Sequence, residues 1–436
     1  MKIRGSHIRI PTHIIVAISA WASKLTTAIA QFVSIGFLIK YLGLENYGYF
    51  TVLVSLSGWL ALTDCGFGSA FQNTLSKYRA TAVSLEGLLN QTRITQYVLF
   101  LIWLPLLIFL AFPISKHLFP GMLSSNENMT LAVLTGNIIW MINAVAGISY
   151  RILYAQQRGV LANLYPAIGS ILSLASIAIL TSNVSGKGNV VSALIAYSLP
   201  VAISAIAANN HAYPGLKVSI RKIDYQVLKT VIANSWRFWG FALLVAGVIN
   251  IDYLIMARII PPREIVTYTV VSRVFMLIYF IYYSLLSAIW PTFTELLTNG
   301  NYCDVKKEIK RILIYGVIIV SIGTSIFLMT RKIIAALLSS EHIDIPIRTI
   351  LLFGAYYLFR LWGDAFAVAL ASVNKVKIFW LYIPFQAIIS GGAQYFFGLQ
   401  WGIDGIVLGI SLSFFLTAVW INPTAFEHLV SQKRTL

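Results

Sequence analysis

Charge is scarce in this sequence. Only 11% of its 436 residues are Asp, Glu, Lys or Arg, where soluble domains carry about 25%. With 58% hydrophobic residues and a mean hydropathy of +0.79, that shortage excludes a water-soluble globular domain and points to an all-α polytopic membrane protein. Cysteine is nearly absent. Cys65 lies within an apolar run and Cys303 in a charged loop, so the chain can build neither a disulfide framework nor a cysteine metal cluster. Missing as well are a Walker A loop for ATP, an HExxH zinc motif and a GxSxG nucleophile turn. The expectation is a protein without cofactor or metal that is not an enzyme. His7, His13, His117, His211, His342 and His428 all fall outside the apolar interiors, which argues against a histidine proton relay.

Acidic residues are the scarcer sign, 15 against 32 Lys and Arg, for a net charge of +17. In a soluble protein such a balance would suggest nucleic acid. Here the bases sit mostly between apolar runs, where they orient membrane spans, and no nucleic-acid partner is expected.

A helix needs about 20 apolar residues to cross about 30 Å of hydrocarbon. Windows of that size give twelve spans, near 14–39, 48–71, 95–115, 130–150, 162–181 and 190–209, then 236–258, 266–290, 311–330, 348–371, 378–398 and 403–422. The runs are continuously apolar rather than alternating, which excludes a strand barrel. The start has the look of a signal peptide, with Ala20-Trp21-Ala22 as a small-x-small site. Hydrophobicity continues past Lys24 to Ile39, however, which suits an uncleaved first helix better. With the N-terminus in the cytoplasm, 21 Lys and Arg fall on that side and 8 on the other. The asymmetry favours both termini inside and an even number of spans.

Shifting the sequence against itself by 218 residues aligns Thr51-Val52 with Thr269-Val270, Ser69-Ala70 with Ser287-Ala288, Arg93 with Arg311, Pro166 with Pro384 and Lys40 with Arg258. Two six-helix lobes are expected, 1–209 and 231–436, related by a pseudo-two-fold along the membrane normal with a cavity between them. The joining segment 210–230, polar and basic around Pro214-Gly215, reads as a cytoplasmic linker or as an amphipathic helix on the membrane surface.

Ionisable groups at membrane depth are costly and usually face protein or a water-filled cavity. Lys24, Asp64, Asp252, Arg273, Arg360 and Asp364 are such groups, and Arg237 stands at the entry of the seventh span. Lys24 and Arg273 have no opposite charge at helical spacing; together with Arg360 and Arg237 they are candidates for a cationic chamber that binds a phosphate or an acidic sugar. Arg360 and Asp364, four residues apart, could equally neutralise each other, and Arg237 in "NSWRFWG" could snorkel to headgroups. Asp252, Asp64 and Asp364 are candidates for coupling to H⁺ or Na⁺, although Asp64 in "DCGFG" could simply bond backbone groups. Tyr279, Tyr282 and Tyr283 could stack on sugar rings or serve in packing.

The stretch from Lys40 to Ala80, "KYLGLENYGYFTVLVSLSGWLALTDCGFGSAFQNTLSKYRA", resembles the amino-terminal signature of Wzx-type polysaccharide repeat-unit flippases of the MOP exporter superfamily. The matching residues are Leu42, Gly43, Glu45, Tyr47, Gly48 and Phe50, followed by Asp64, Gly66 and Gly68. The resemblance implies that an undecaprenyl-pyrophosphate-linked oligosaccharide, such as an O-antigen repeat unit, is moved from the cytoplasmic to the periplasmic leaflet of the bacterial inner membrane. Alternating access, H⁺ or Na⁺ coupling and an association with a polymerase and a chain-length regulator come with it. Lipid II flippases, typically with fourteen spans, resemble the chain less. Two alternatives stay open: a drug or cation antiporter of the same superfamily, and a membrane polysaccharide polymerase or glycosyltransferase.

Overall fold

In hydrocarbon every backbone amide must find its partner within the protein, and helices meet that demand along their own length. A computed structural model describes residues 12–80, 85–119, 129–182, 188–215, 218, 219, 225–338, 343–373, 375 and 377–432, and among them there is no strand. The first half contains α1 (Thr12–Leu42), α2 (Leu44–Leu60), a 3-10 turn (Ala61–Asp64), α3 (Phe67–Ala80), α4 (Glu86–Leu118), α5 (Met129–Ala155), α6 (Gly159–Ser182) and α7 (Val190–Ala212). The second contains α8 (Tyr225–Ile249), α9 (Ile251–Ile259), α10 (Pro262–Thr298), α11 (Tyr302–Leu338), α12 (Ile347–Ser372), α13 (Lys377–Leu416) and α14 (Ala418–Gln432).

These helices form twelve passes in two lobes. Nine described stretches are long and apolar enough to cross a membrane, and the bent α2–α3 pair makes a tenth. The stretch through α13 and α14 breaks at Trp401 and Gly402 (φ −127° and 56°) and so counts twice. The remaining pass is α12, whose apolarity is diluted by Arg360 and Asp364. The 218-residue repeat recurs in the helix starts, since α2 and α10 begin at Leu44 and Pro262, and α6 and α13 at Gly159 and Lys377. Of the 210–230 linker, residues 216, 217 and 220–224 lie outside the described residues. Its Ser219 is held to the start of α4, giving its N–H to Asn90 Oδ1 at 2.8 Å and accepting from Asn90 Nδ2 at 2.7 Å.

Three spans expected to be continuous are broken, 403–422 at Thr417 between α13 and α14 and two others beside the lobe interface. The second bends by 47° between the 3-10 turn and α3, where Cys65 and Gly66 take positive φ (49° and 75°). The seventh breaks at Asn250, between α8 and α9. These two broken spans pack on each other along one seam between the lobes. Trp59 Nε1 donates to the Asn250 carbonyl at 3.3 Å, and Trp239 Nε1 donates to the Leu62 carbonyl at 2.9 Å. Each indole thus bonds to a backbone carbonyl at the break in the other lobe, and the Leu62 carbonyl also accepts the Cys65 N–H at 3.0 Å.

The lobes also meet at the end of the bundle where α1 turns into α2 through Gly43, a single residue with φ 77°. A Cβ on Gly48 would lie 2.3 Å from the Pro262 carbonyl oxygen, so α2 and α10 touch backbone to backbone there. Beside them Arg258 of α9 hydrogen-bonds His117 of α4.

Candidate functional site

Between the lobes lies a cavity of about 490 Å³ to which α1, α2, α5, α6, α7, α8, α9, α10, α12 and α13 contribute. Such a volume lies within the range of ligand pockets, about 300–1,000 Å³. The ionisable side chains of its wall, tyrosine aside, are Arg273, Arg360 and Asp252. Six tyrosines surround them: Tyr47 on α2, Tyr197 on α7, Tyr253 on α9, Tyr268 on α10, and Tyr356 and Tyr357 on α12.

Arg273 projects from α10 and donates from Nη1 to Gln31 Oε1 of α1 at 2.7 Å, across the interface between lobes. The phenols of Tyr47, Tyr197, Tyr253 and Tyr357 lie within electrostatic reach of it. Among the described residues no carboxylate stands within 4.0 Å, so its charge is met by a neutral amide and by ring dipoles. Arg360 differs. Its Nε lies 3.6 Å from Asp364 Oδ2, its Nη1 donates to Tyr356 Oη at 3.2 Å, and its guanidinium stacks 4.6 Å from the Tyr279 ring and 5.8 Å from that of Tyr357. Asp252 is buried in the first turn of α9, immediately after the helix break. Its Oδ1 accepts from the Tyr253 N–H at 2.8 Å and its Oδ2 from Tyr268 Oη at 2.6 Å. A fixed cation, a half-neutralised cation and a hydrogen-bonded carboxylate thus share one aromatic chamber.

The structure brings together only part of the candidate set. Arg273, Arg360 and Asp252 line the cavity. Asp364 stands behind Arg360, accepting a hydrogen bond from Tyr279, and does not line it. Lys24 is exposed on α1, with its Nζ 5.8 Å from the ring of Tyr283 on α10, at the opposite seam between the lobes. Arg237 is exposed on α8 and stacks on its neighbour Trp236. Asp64 lies outside the cavity wall and accepts the Gly66 N–H at 2.8 Å, closing the turn that leads into α3. Of the three tyrosines expected as stacking surfaces, Tyr282 is buried with its hydroxyl on the Leu361 carbonyl at 3.0 Å, Tyr279 serves Asp364, and Tyr283 faces Lys24.

The signature residues divide between wall and joint. Tyr47 and Phe50 line the cavity, their rings 6.0 Å apart. Glu45 is exposed in the first turn of α2, where a carboxylate favours the helix dipole. Gly66 combines a positive φ with a Cβ position 2.3 Å from the Ser235 carbonyl oxygen of α8, and the Cβ position of Gly68 lies 2.9 Å from Arg151 Cδ. Only glycine fits at Gly66. Of the six wall tyrosines the sequence picks out only Tyr47, as a signature residue; the other five, Gln31 and the Asn250 break it does not. A helix interrupted beside an intramembrane acid is a pointer to a transporter site, but "VINID" (Val248–Asp252) holds the acid without the Gly or Pro that would announce the break.

No protein-family model matches the chain. The chain is 32% identical to a protein of Yersinia pseudotuberculosis named an O-antigen export protein, with 98% of each covered. It is 31% identical to one of Salmonella typhi named an O-antigen transporter, with 97% of each covered. Among solved structures, the inward-facing conformation of a multidrug resistance MATE family transporter of the MOP superfamily gives a TM-score of 0.74 at 15% identity, covering 95% of this chain and 98% of that one. The outward-facing conformation gives 0.65 at 13% identity, covering 98% and 97%. The lipid II flippase MurJ in an inward closed conformation gives 0.71 at 14% identity, covering 95% of this chain and 87% of that one. These three likenesses concern the fold. At that level the lipid II flippase is no more distant than the outward-facing MATE transporter.

Proposed function

We propose that this chain, which belongs to the O-antigen transporter family within the MOP superfamily, flips a polyprenyl-pyrophosphate-linked oligosaccharide from the cytoplasmic to the periplasmic leaflet of the bacterial inner membrane. The observation that carries the reading is the cavity wall, with two arginines against one aspartate inside six tyrosines. Arginine's planar fork suits phosphate oxygens, tyrosine faces suit sugar rings, and Gln31 and Asn143 add amide partners for hydroxyls. A drug or cation antiporter would want the reverse balance of charge.

Contact between the lobes at the Gly43 end supports entry of the cargo from the other end. The 21-to-8 distribution of bases supports that other end, and both termini, as cytoplasmic. The lipid tail stays in the bilayer while the headgroup occupies the cavity, and rocking of the lobes then exposes it to the opposite leaflet. Asp252 is the group best placed for coupling to H⁺ or Na⁺, because it lies in the wall at a helix break and its hydrogen bond from Tyr268 can respond to the cargo. Partners of the pathway kind, a polymerase and a chain-length regulator, belong to the same reading.

The test is deletion of the gene in its native host, with surface polysaccharide and lipid-linked repeat units measured together. Lost polymer with repeat units retained on the cytoplasmic leaflet is the expected result. Normal polysaccharide would favour an antiporter, and unpolymerised units in the periplasm a polymerase.

A further inference from the structure

Inside the second lobe runs a polar face that takes no part in the cavity wall. Tyr382, Gln386, Ser390 and Gln394 recur every fourth residue on α13, so they lie on one face. All four are buried, at 7%, 4%, 0% and 0% exposure. The rest of the helix carries exposed apolar side chains such as Leu381, Phe385, Ile388 and Phe396. The face extends over about 18 Å of helix. Asn422 of α14, also buried, donates from Nδ2 to Tyr382 Oη and to the Gly363 carbonyl, each at 3.2 Å. Gly363 adjoins Asp364, whose charge reaches Tyr382.

Hydrogen bonding along this face is incomplete. Gln394 Nε2 donates to Ser390 Oγ at 2.7 Å, but Gln394 Oε1, Gln386 Nε2 and Asn422 Oδ1 are buried without partners. A dry lobe would leave each of them at the cost of an unmade hydrogen bond. One donor and two acceptors, with no carboxylate on the α13 face, are what water satisfies, because water both gives and accepts. A metal ion would want oxygens only.

We propose that the second lobe encloses a file of water molecules along the Tyr382–Gln394 face of α13, and that this file gives the Asp364 carboxyl a route for protons separate from the cargo cavity. The proton part rests on the reading of coupled transport above; the water part does not. The titratable and charged groups facing Asp364 are Arg360 and Tyr356 on α12, Tyr279 and Tyr282 on α10, and Tyr382 on α13. Protonation of Asp364 would release Arg360 from its ion pair. A proton arriving from behind the wall would thereby change the charge offered to an anion in the cavity.

Radiolytic hydroxyl labelling of the full chain in nanodiscs, read by mass spectrometry, reports bound water beside buried side chains and needs no cargo. Tyr382 should be labelled severalfold faster than Tyr282, a still more deeply buried tyrosine whose hydroxyl is bonded to a backbone carbonyl. Gln386→Met and Gln394→Met, which keep the side-chain length, should each reduce that labelling. Labelling of Tyr382 no faster than Tyr282 overturns the water file. Infrared difference spectra across pH then test the route: a protonated-carboxyl band lost in Asp364→Asn should exchange quickly in D₂O and severalfold more slowly in the two Gln variants. Absence of such a band, or exchange unaffected by the variants, overturns the proton route and leaves the glycan cargo of the transporter to its own test.

Discussion

The two seams between the lobes are built differently. On one, both partners are broken helices, and each break is stitched to the other lobe: Trp59 to Asn250, Trp239 to Leu62, with Gly58 against the Asn250 side chain and Gly66 against the Ser235 carbonyl. On the other, unbroken α1 faces unbroken α10 through the side-chain pairs Gln31 with Arg273 and Lys24 with Tyr283. Fixed indoles on backbone carbonyls resist separation. Long rotatable side chains permit it. In the proposed function a pair of lobes joined this way would open as a book does, with the α2–α3/α8–α9 seam as spine and the α1/α10 seam as the edge through which a lipid tail would trail.

Tethering gives the sharpest test of the difference. In a background lacking Cys65 and Cys303, bridging Lys24→Cys to Tyr283→Cys with a bifunctional thiol reagent should abolish glycan export. Bridging Gly58→Cys to Asn250→Cys should leave most of it. Equal loss at both seams would remove the spine-and-edge distinction. Next in size is Gly66→Ala. A side chain at φ 75° costs about 1–2 kcal/mol, and the clash with the Ser235 carbonyl adds about 1–3 kcal/mol. Detergent-solubilised protein should therefore melt markedly lower, whereas Gly87→Ala, with open space around it, should not.

Arg273→Ala probes the cavity where the open edge begins. Losing charged hydrogen bonds worth about 1.5–3 kcal/mol should weaken binding of a pyrophosphate-bearing headgroup by roughly 10- to 100-fold with normal membrane insertion, and Arg273→Lys should restore only part. The smallest effect is expected for Lys24→Ala. An exposed cation–π contact is worth about 0.5–1 kcal/mol, so export should fall by no more than about fivefold. A complete loss would mean that Lys24 meets the cargo directly.

Much of this architecture was legible in the residues. The twelve passes, the two halves and the 218-residue period follow from hydropathy and self-alignment, because lipid makes those signals strong. The helices run further than the apolar windows, as α10 does to Thr298 and α3 to Ala80, since polar residues extend a helix beyond the hydrocarbon. The site was legible only in part. Arg273, Arg360 and Asp252 stand out as charges at membrane depth, but so do Lys24 and Asp64, and nothing in a single helix says which way a charge points. Tyrosine gives no such signal at all. Tyr47, Tyr197, Tyr253, Tyr268 and the Tyr356–Tyr357 pair converge from five helices, a fact of tertiary packing. Gly48 and Gly66 stood out as signature residues, while the atoms that require them, the carbonyls of Pro262 and Ser235, belong to the other half of the chain.

The charge balance of the wall has an electrical consequence. Counting Asp252 and Asp364 as ionised, these two carboxylates balance Arg273 and Arg360, so the empty site is neutral and a membrane voltage does little to its return. A charge carried across the full field is worth about 2.3 kcal/mol per 100 mV. In the proposed cycle a pyrophosphate bringing two negative charges makes the loaded cavity anionic, so an inside-negative membrane pushes it outward. The resting potential would then assist the delivery stroke, and export should slow when that potential is collapsed even with the pH gradient intact.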